Sequence, residues 1–266
     1  MSDWLLNLPV LWMGLIILGA IYVVTAGLYV LITRLAVGER ARTFKGISPG
    51  MLPPLAVMFA LLVGFLAAQV WNDADRASTA VNQEASALRA VVLLASGYPG
   101  EPEAHMRDLI RRYIQDAVTQ EWPEMARRNA TLTIAPARLA EALQLAISLV
   151  PRNEGQVAAQ REMIASLQTA LAARRQRIIL TRSSINWVKW TVLLVQAGLT
   201  LFAIGIIHSD NRAANRLIMT IFATGVGIAV VLIASHSRPF TGEIAVHPTV
   251  LLQVMPEAGP VVGLGQ

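Results

Sequence analysis

No stretch constrains this chain more than residues 51–96. It opens Met51-Leu52-Pro53-Pro54, stays apolar through Trp71, and then turns polar with no breaker until Gly97-Tyr98-Pro99-Gly100. Proline is tolerated in a first helical turn, where its missing N–H had no partner anyway. From Leu55 to Trp71 there is neither charge nor proline. That run and its prolines make roughly 20 residues, about 30 Å of helix, enough to cross the hydrocarbon core of a bilayer. Trp71 sits where an interfacial aromatic belongs. Beyond it come Asn72, Asp73, Asp75 and Arg76, and the apolar positions thin to Ala77, Val81, Ala85, Leu88, Val92 and Ala95. Steps of three and four specify an amphipathic helix. The stretch therefore reads as one continuous helix, half in lipid and half in water.

Within the lipid half, Ala56, Ala60, Gly64 and Ala68 recur every fourth residue. Small residues at that spacing let another membrane helix approach closely. Phe59, Leu62, Phe65, Leu66 and Gln69 lie elsewhere on the same helix and are candidates to line a pore.

Three further apolar runs are long enough to span. Pro9 to Thr33 carries no charge, and the basic residues follow it rather than precede it, so it reads as a retained span and not a cleaved signal. Trp187 to Ile207 is the third span, with Lys189 placed to snorkel at its edge. Leu217 to about Ala234 is the fourth, entered through a basic turn at Arg212–Arg216 and carrying a small pair at Ala223 and Gly227. A mean hydropathy of +0.52 with 55% hydrophobic residues suits an integral membrane protein with a sizeable aqueous part.

The fold class expected is thus all-α, four spans with a helical aqueous bundle between spans two and three. The segments are 1–50 (first span and basic connector), 51–96 (second span running into water), 97–186 (aqueous bundle), 187–236 (spans three and four) and 237–266 (C-terminal segment, loose from Gly259). Inside the bundle, a helix is expected from Glu101 to about Arg128, kinked or ended by Pro123. A short Thr-rich link follows at Asn129–Ala135, then a helix from Pro136 to Leu149. From Glu154 a long helix carries Val157, Ile164, Leu171, Ile178 and Ile185 seven apart. The second row such a seam needs is broken by Arg174 and Arg182, so a bundle seam is expected rather than a two-stranded coiled coil.

The chemistry is as informative by what it lacks. With no cysteine there is no disulfide framework and no thiolate metal site. HExxH, Walker A and GxSxG patterns are missing, and His105, His208, His236 and His247 are scattered. No basic run interleaves with aromatics, so nucleic acid is not a partner. No enzymatic activity, cofactor or metal is expected. The spans contain no Asp or Glu. Ion-coupled transporters usually place a carboxylate there, so its absence argues for a passive pore, which apolar side chains can gate by dewetting, or for no transport at all. Counting Lys and Arg in the short connectors places them in the cytoplasm and the bundle outside, while Arg174, Arg175, Arg177, Arg182 and Lys189 argue the reverse.

Three motifs together resemble a known family. The first is Gly50-Met51-Leu52-Pro53-Pro54 leading to Gly64-Phe65 and Gln69-Val70-Trp71. The second is Val81-Asn82-Gln83-Glu84-Ala85-Ser86-Ala87-Leu88-Arg89. The third is Arg238-Pro239-Phe240-Thr241-Gly242-Glu243-Ile244. The chain is similar to the bestrophin-like integral-membrane family of bacteria and plants, whose function is uncharacterised. The resemblance implies structural roles for Trp71, Glu84, Arg89, Arg238, Pro239, Phe240 and Gly242. It also implies a relation to bestrophins, which are pentameric chloride channels with a cytosolic helical insert. Their acidic calcium-binding cluster after span four has no counterpart here beyond Glu243 and the distant Glu257, so calcium gating is not carried over. No match to the bestrophin neck motif is found.

The expected protein is a multi-pass, homo-oligomeric anion channel of the cell membrane, the bacterial inner membrane, with the lipid bilayer and anions as partners. The alternative is a non-conducting sensor or scaffold whose bundle binds a partner protein. Glu84 and Arg238 are expected to pair and lock the bundle to the spans.

Overall fold

The computed structural model describes residues 3–6, 8–132, 136–183 and 185–257, and every element among them is helical. Helices α2 (Val10–Leu35), α4 (Leu52–Ala95), α9 (Trp187–Ile207) and α10 (Arg212–Ser235) are each long and apolar enough to cross a membrane. α4 runs unbroken for 44 residues, about 66 Å at 1.5 Å per residue, with no hinge at Asn72–Arg76. A short 3-10 turn at Pro49–Met51, capped by Ser48, starts it.

The chain divides into two compact units. The first comprises residues 1–72, 184–238 and 242–244. It holds the short α1 (Asp3–Leu6), α2, α3 (Glu39–Lys45), the apolar part of α4, and α9 and α10. Its core is built from Met13, Ile17, Phe59, Leu193, Val226 and Ile233, with a second cluster around Ile32, Ile204 and Met219. Helices α2 and α10 pack closely because Gly227 has no side chain. A Cβ there would lie 2.3 Å from Leu18 Cδ2, and Ala223, one turn earlier, is fully buried. The small pair at Ala223 and Gly227 is therefore used within the chain. Glu243, from the third motif, accepts a hydrogen bond from the Val10 N–H at 3.2 Å. That sets a carboxylate at the α2 N-terminus, where the helix dipole favours negative charge.

The second unit comprises residues 73–183, 239–241 and 245–266, of which those after 257 lie outside the described residues, as does the loose tail expected from Gly259. It contains the polar part of α4, α5 (Glu101–Asp116), α6 (Trp122–Ala126), α7 (Ala137–Ser148), α8 (Glu154–Thr181) and the short α11 (Thr249–Gln253). Its core joins Val81, Leu88, Ile110, Ile114, Met125, Leu139, Met163, Leu167 and Phe240.

Several local expectations are corrected. Between α5 and α6 the chain widens into a π-helical turn, Ala117–Glu121, so Pro123 neither ends nor simply kinks a single helix. Proline cannot supply the N–H that an upstream carbonyl needs, and the wider turn before it absorbs the mismatch. The basic residues Arg212–Arg216 form the opening of α10 rather than a turn, because Asn211 accepts hydrogen bonds from the Ala213 and Ala214 N–H groups and starts the helix early. The connector after span one holds a helix of its own, α3. The link at Asn129–Ala135 is described only as far as Leu132.

Candidate functional site

Two arrangements carry chemistry, one in each unit. In the first unit it is the lipid half of α4. Phe59 and Leu66 face inward, Phe59 against Phe222 with ring centroids 5.5 Å apart. The Leu55 carbonyl accepts from Gln196 Nε2 at 3.4 Å. On the opposite side, Phe65 is 73% exposed, and Val57, Met58 and Leu61 are exposed with it. Ala56, Ala60, Gly64 and Ala68 are exposed too, and nothing lies within 4 Å of where a Gly64 Cβ would stand. About half of this span's circumference thus has no partner among the described residues. Leu62 and Gln69 are half-buried at the edge of that open face. Gln69 Oε1 accepts a hydrogen bond from Lys189 Nζ at 2.5 Å, and both Lys189 and Trp71 are exposed. A fixed ammonium is therefore held beside the polar end of the open face.

In the second unit the site is a buried charge cluster. Glu84 on α4 and Arg177 on α8 are both 0% exposed. Arg177 donates to Glu84 through Nε at 2.8 Å and Nη2 at 3.1 Å, and through Nη2 to Glu121 Oε2 at 3.0 Å. The Tyr113 hydroxyl donates a short hydrogen bond to Glu84. The other oxygen of Glu121 accepts from Arg174 Nε at 2.8 Å and Nη2 at 2.5 Å. The Arg177 guanidinium lies 4.6 Å over the Trp122 ring, a cation–π geometry.

Buried ions persist only when they are paired and hydrogen-bonded, and both carboxylates here meet guanidinium. Burial opposes the charge on Arg177, yet Glu84, Tyr113 and Glu121 raise its pKa further above an already high value. Burial, with the neighbouring Glu84 charge, pushes the Tyr113 phenol well above its ordinary range, while Arg177 opposes the shift.

The Glu84 carboxylate, expected to meet Arg238, is taken up within its own unit by Arg177 and Tyr113. Arg238 is buried in the first unit. Arg89 is exposed and makes no ion pair among the described residues. Pro239 and Phe240 are buried, and the Phe240 ring meets Trp122 edge-on at 5.9 Å. Thr241 Oγ1 donates to the Ala126 carbonyl, and Trp122 Nε1 to the Val246 carbonyl. Gly242 has φ +95, a conformation that favours glycine, which explains its place in the motif.

Three elements adjoining the spans therefore converge on one cluster: α4, which continues span two; α8, which precedes span three; and the segment after span four. Sequence reading missed Arg174, Arg177, Glu121 and Tyr113. The signal was present, since Arg174 and Arg177 lie three apart on the face of α8 that also buries Leu167, Ala170 and Ile178. Arg174 entered the sequence reading as a residue that breaks a heptad row, and with Arg177 as part of a charge count, never as a partner for a buried carboxylate.

A helical chain with four spans and a folded polar unit defines a multi-pass membrane protein. The sequence matches the Bestrophin-like domain over residues 19–251, and the chain belongs to that family. Solved structures agree in fold. A bacterial bestrophin homologue from Klebsiella pneumoniae, crystallised as a point mutant, aligns at TM-score 0.71 with 12% identity, covering 90% of this chain and 97% of that one. A second point mutant from that organism aligns at TM-score 0.68 with 15% identity, covering 90% and 95%. No curated protein matches the sequence.

Proposed function

We propose that this protein is a homo-oligomeric ion channel for anions, without enzymatic activity, seated in a bacterial inner membrane, with copies of α4 around the pore. The observation that carries this reading is the open face of α4. One side of the span is packed on Phe222 and its neighbours, while the other has no cover from the described residues. Its residues suit two tasks. The stripe Ala56, Ala60, Gly64 and Ala68 suits close approach by a neighbouring subunit. At about 100° per residue, Phe65 lies beside Gly64 and Ala68 on the same surface. Phe59 and Leu66 are engaged inside the chain, so the lining we propose narrows to Leu62, Phe65 and Gln69. Apolar side chains at a constriction gate by dewetting.

Anion preference is supported by Lys189. Repeated around an oligomer, the ammonium held on Gln69 becomes a ring of positive charge at one end of the pore. Gating by the second unit is supported by the unbroken α4, whose polar half supplies Glu84 to the buried cluster.

Purified protein in planar bilayers tests the reading. Expected are unitary currents whose reversal potential follows chloride. Lys189→Glu should move selectivity toward cations, and Phe65→Ala should raise open probability. Silence across several ions and pH values would overturn the channel and favour the non-conducting sensor or scaffold.

A further inference from the structure

Positive charge in this chain is concentrated at one end of the first unit, where α2 and α9 finish and α10 begins. Residues 34–45 and 210–216 hold Arg34, Arg40, Arg42, Lys45, Arg212 and Arg216 against only Glu39 and Asp210. That surplus of four is most of the chain's net charge of +5.

Packing brings these charges to one place. Ile32 on α2 and Asn215 on α10 both meet Gly205 on α9. Ile32 Cδ1 stands 2.3 Å from where a Gly205 Cβ would lie, and Asn215 Nδ2 donates to the Gly205 carbonyl at 3.0 Å. Arg34 follows Ile32 by two residues, and Arg212 and Arg216 flank Asn215. Phe44 and Ile47 pack against the same cluster of Ile32, Ile204 and Met219, which holds α3 and its Arg42 at this end.

These cations are not neutralised as those of the second unit are. Arg107, Arg111, Arg112, Arg127 and Arg138 each hold a carboxylate three or four positions away. By contrast, Arg34, Arg42, Arg212 and Arg216 are exposed and make no ion pair among the described residues. Arg212 and Arg216 also lie in the first turns of α10, where the helix dipole disfavours positive charge. An anion from outside the chain would relieve both the mutual repulsion and the dipole. Exposed Leu31, Val37 and Leu217 adjoin the same arginines. Apolar side chains beside guanidinium groups, at the ends of membrane-spanning helices, suit the boundary between acyl chains and headgroups. Guanidinium donates to phosphate through two parallel N–H groups, a geometry ammonium lacks.

We propose that this end of the span bundle binds the phosphate groups of anionic phospholipids, with Arg34, Arg42, Arg212 and Arg216 as donors and Leu31, Val37 and Leu217 against the acyl chains. At this depth a lipid headgroup is the phosphate already present, which favours it over a free ion. The site is independent of conduction, because lipid binding is measurable in a protein that passes no current.

The test titrates the full-length protein in neutral detergent with phosphatidylglycerol, and separately with phosphatidylcholine of the same acyl chains, counting retained lipid by native mass spectrometry. Phosphatidylglycerol should bind about tenfold or more tighter, since several arginines act on it together. Arg42→Gln and Arg212→Gln should each weaken it about fivefold, the worth of one guanidinium beside an anionic surface. Arg89→Gln removes the same charge from the second unit and should change nothing. Arg42→Lys and Arg212→Lys keep the charge and should restore most of the preference, which separates lost binding from lost folding. Equal retention of the two lipids, affinity untouched by both glutamine variants, or an equal loss in Arg89→Gln would each overturn the proposal, leaving these charges only the task of orienting the spans during insertion. Displacement of the lipid by inorganic phosphate, beyond that by chloride at equal ionic strength, would overturn it in favour of a free-anion site.

Discussion

Replacing Arg177 by methionine should be among the most damaging single changes in the second unit. Methionine keeps much of the length and the apolar contact but removes the charge. It takes away two donors to Glu84, one to Glu121 and the cation over Trp122. Glu84, 0% exposed, would then keep Tyr113 as its only side-chain partner among the described residues. Breaking a buried pair from one side costs about 3–5 kcal/mol, because the remaining charge stays desolvated. For a domain of this size that corresponds to a fall in Tm of about 6–20 °C.

The decisive assay is a double-mutant cycle by thermal melt in detergent, using Arg177→Met, Glu84→Leu and the double variant. Removing both charges leaves an apolar pair, which is often neutral, so the double variant should recover much of the loss. A coupling of about 1–3 kcal/mol is expected. If Arg177→Met melts like the parent, or if the two losses simply add, the cluster does not hold the unit together as argued.

Two further outcomes follow from particular groups. Because the folded-state pKa of Tyr113 is raised above the free value of 10.0, its contribution is complete below that pH and is lost as pH rises past it. The second unit should therefore loosen in alkali, and Tyr113→Phe should blunt that dependence in a melt series from pH 8 to pH 11; an unchanged series would remove Tyr113 as the cause. In the first unit, Gly227→Val places branched atoms where Leu18 Cδ2 already lies 2.3 Å from an ideal Cβ, and overpacking of this kind costs about 1–3 kcal/mol. Gly64→Ala adds a Cβ that has nothing within 4 Å and should leave the stability of the single chain intact, so any effect on assembly size by light scattering reports the open face.

Much of the architecture was legible because lipid and water impose different periodicities on a helix. Uninterrupted apolar runs bounded by Trp, Asn and Pro marked the spans, and the change from an apolar run to a stripe after Trp71 marked α4 as one helix. Boundaries moved where a side chain caps a helix, as Asn211 does for α10. The π-helical turn was not legible: Pro123 announces a disturbance, but whether the chain kinks, stops or widens depends on what packs around it.

The candidate sites were legible only in part. Glu84 stood out through its motif, yet its partner lies 93 residues away in sequence, and no local pattern says which of the many arginines it meets. Hydrophobic periodicity assigns a charged residue to solvent by default, so Arg174, scored as an interruption, and Arg177, scored as loop charge, were not seen as buried partners. The faces of α4 raised the same problem, since Phe59 and Phe65 are chemically equal and only packing against Phe222 separates them.

From residue order alone came the helical class, the number and place of the spans and the unbroken run through Trp71, because burial in lipid, chain length and backbone hydrogen bonding act locally. Which charges neutralise one another and which face of α4 stays open were decided by tertiary structure. Those outcomes depend on desolvation and shape fit between segments distant in sequence, and neither quantity exists until the segments are brought together.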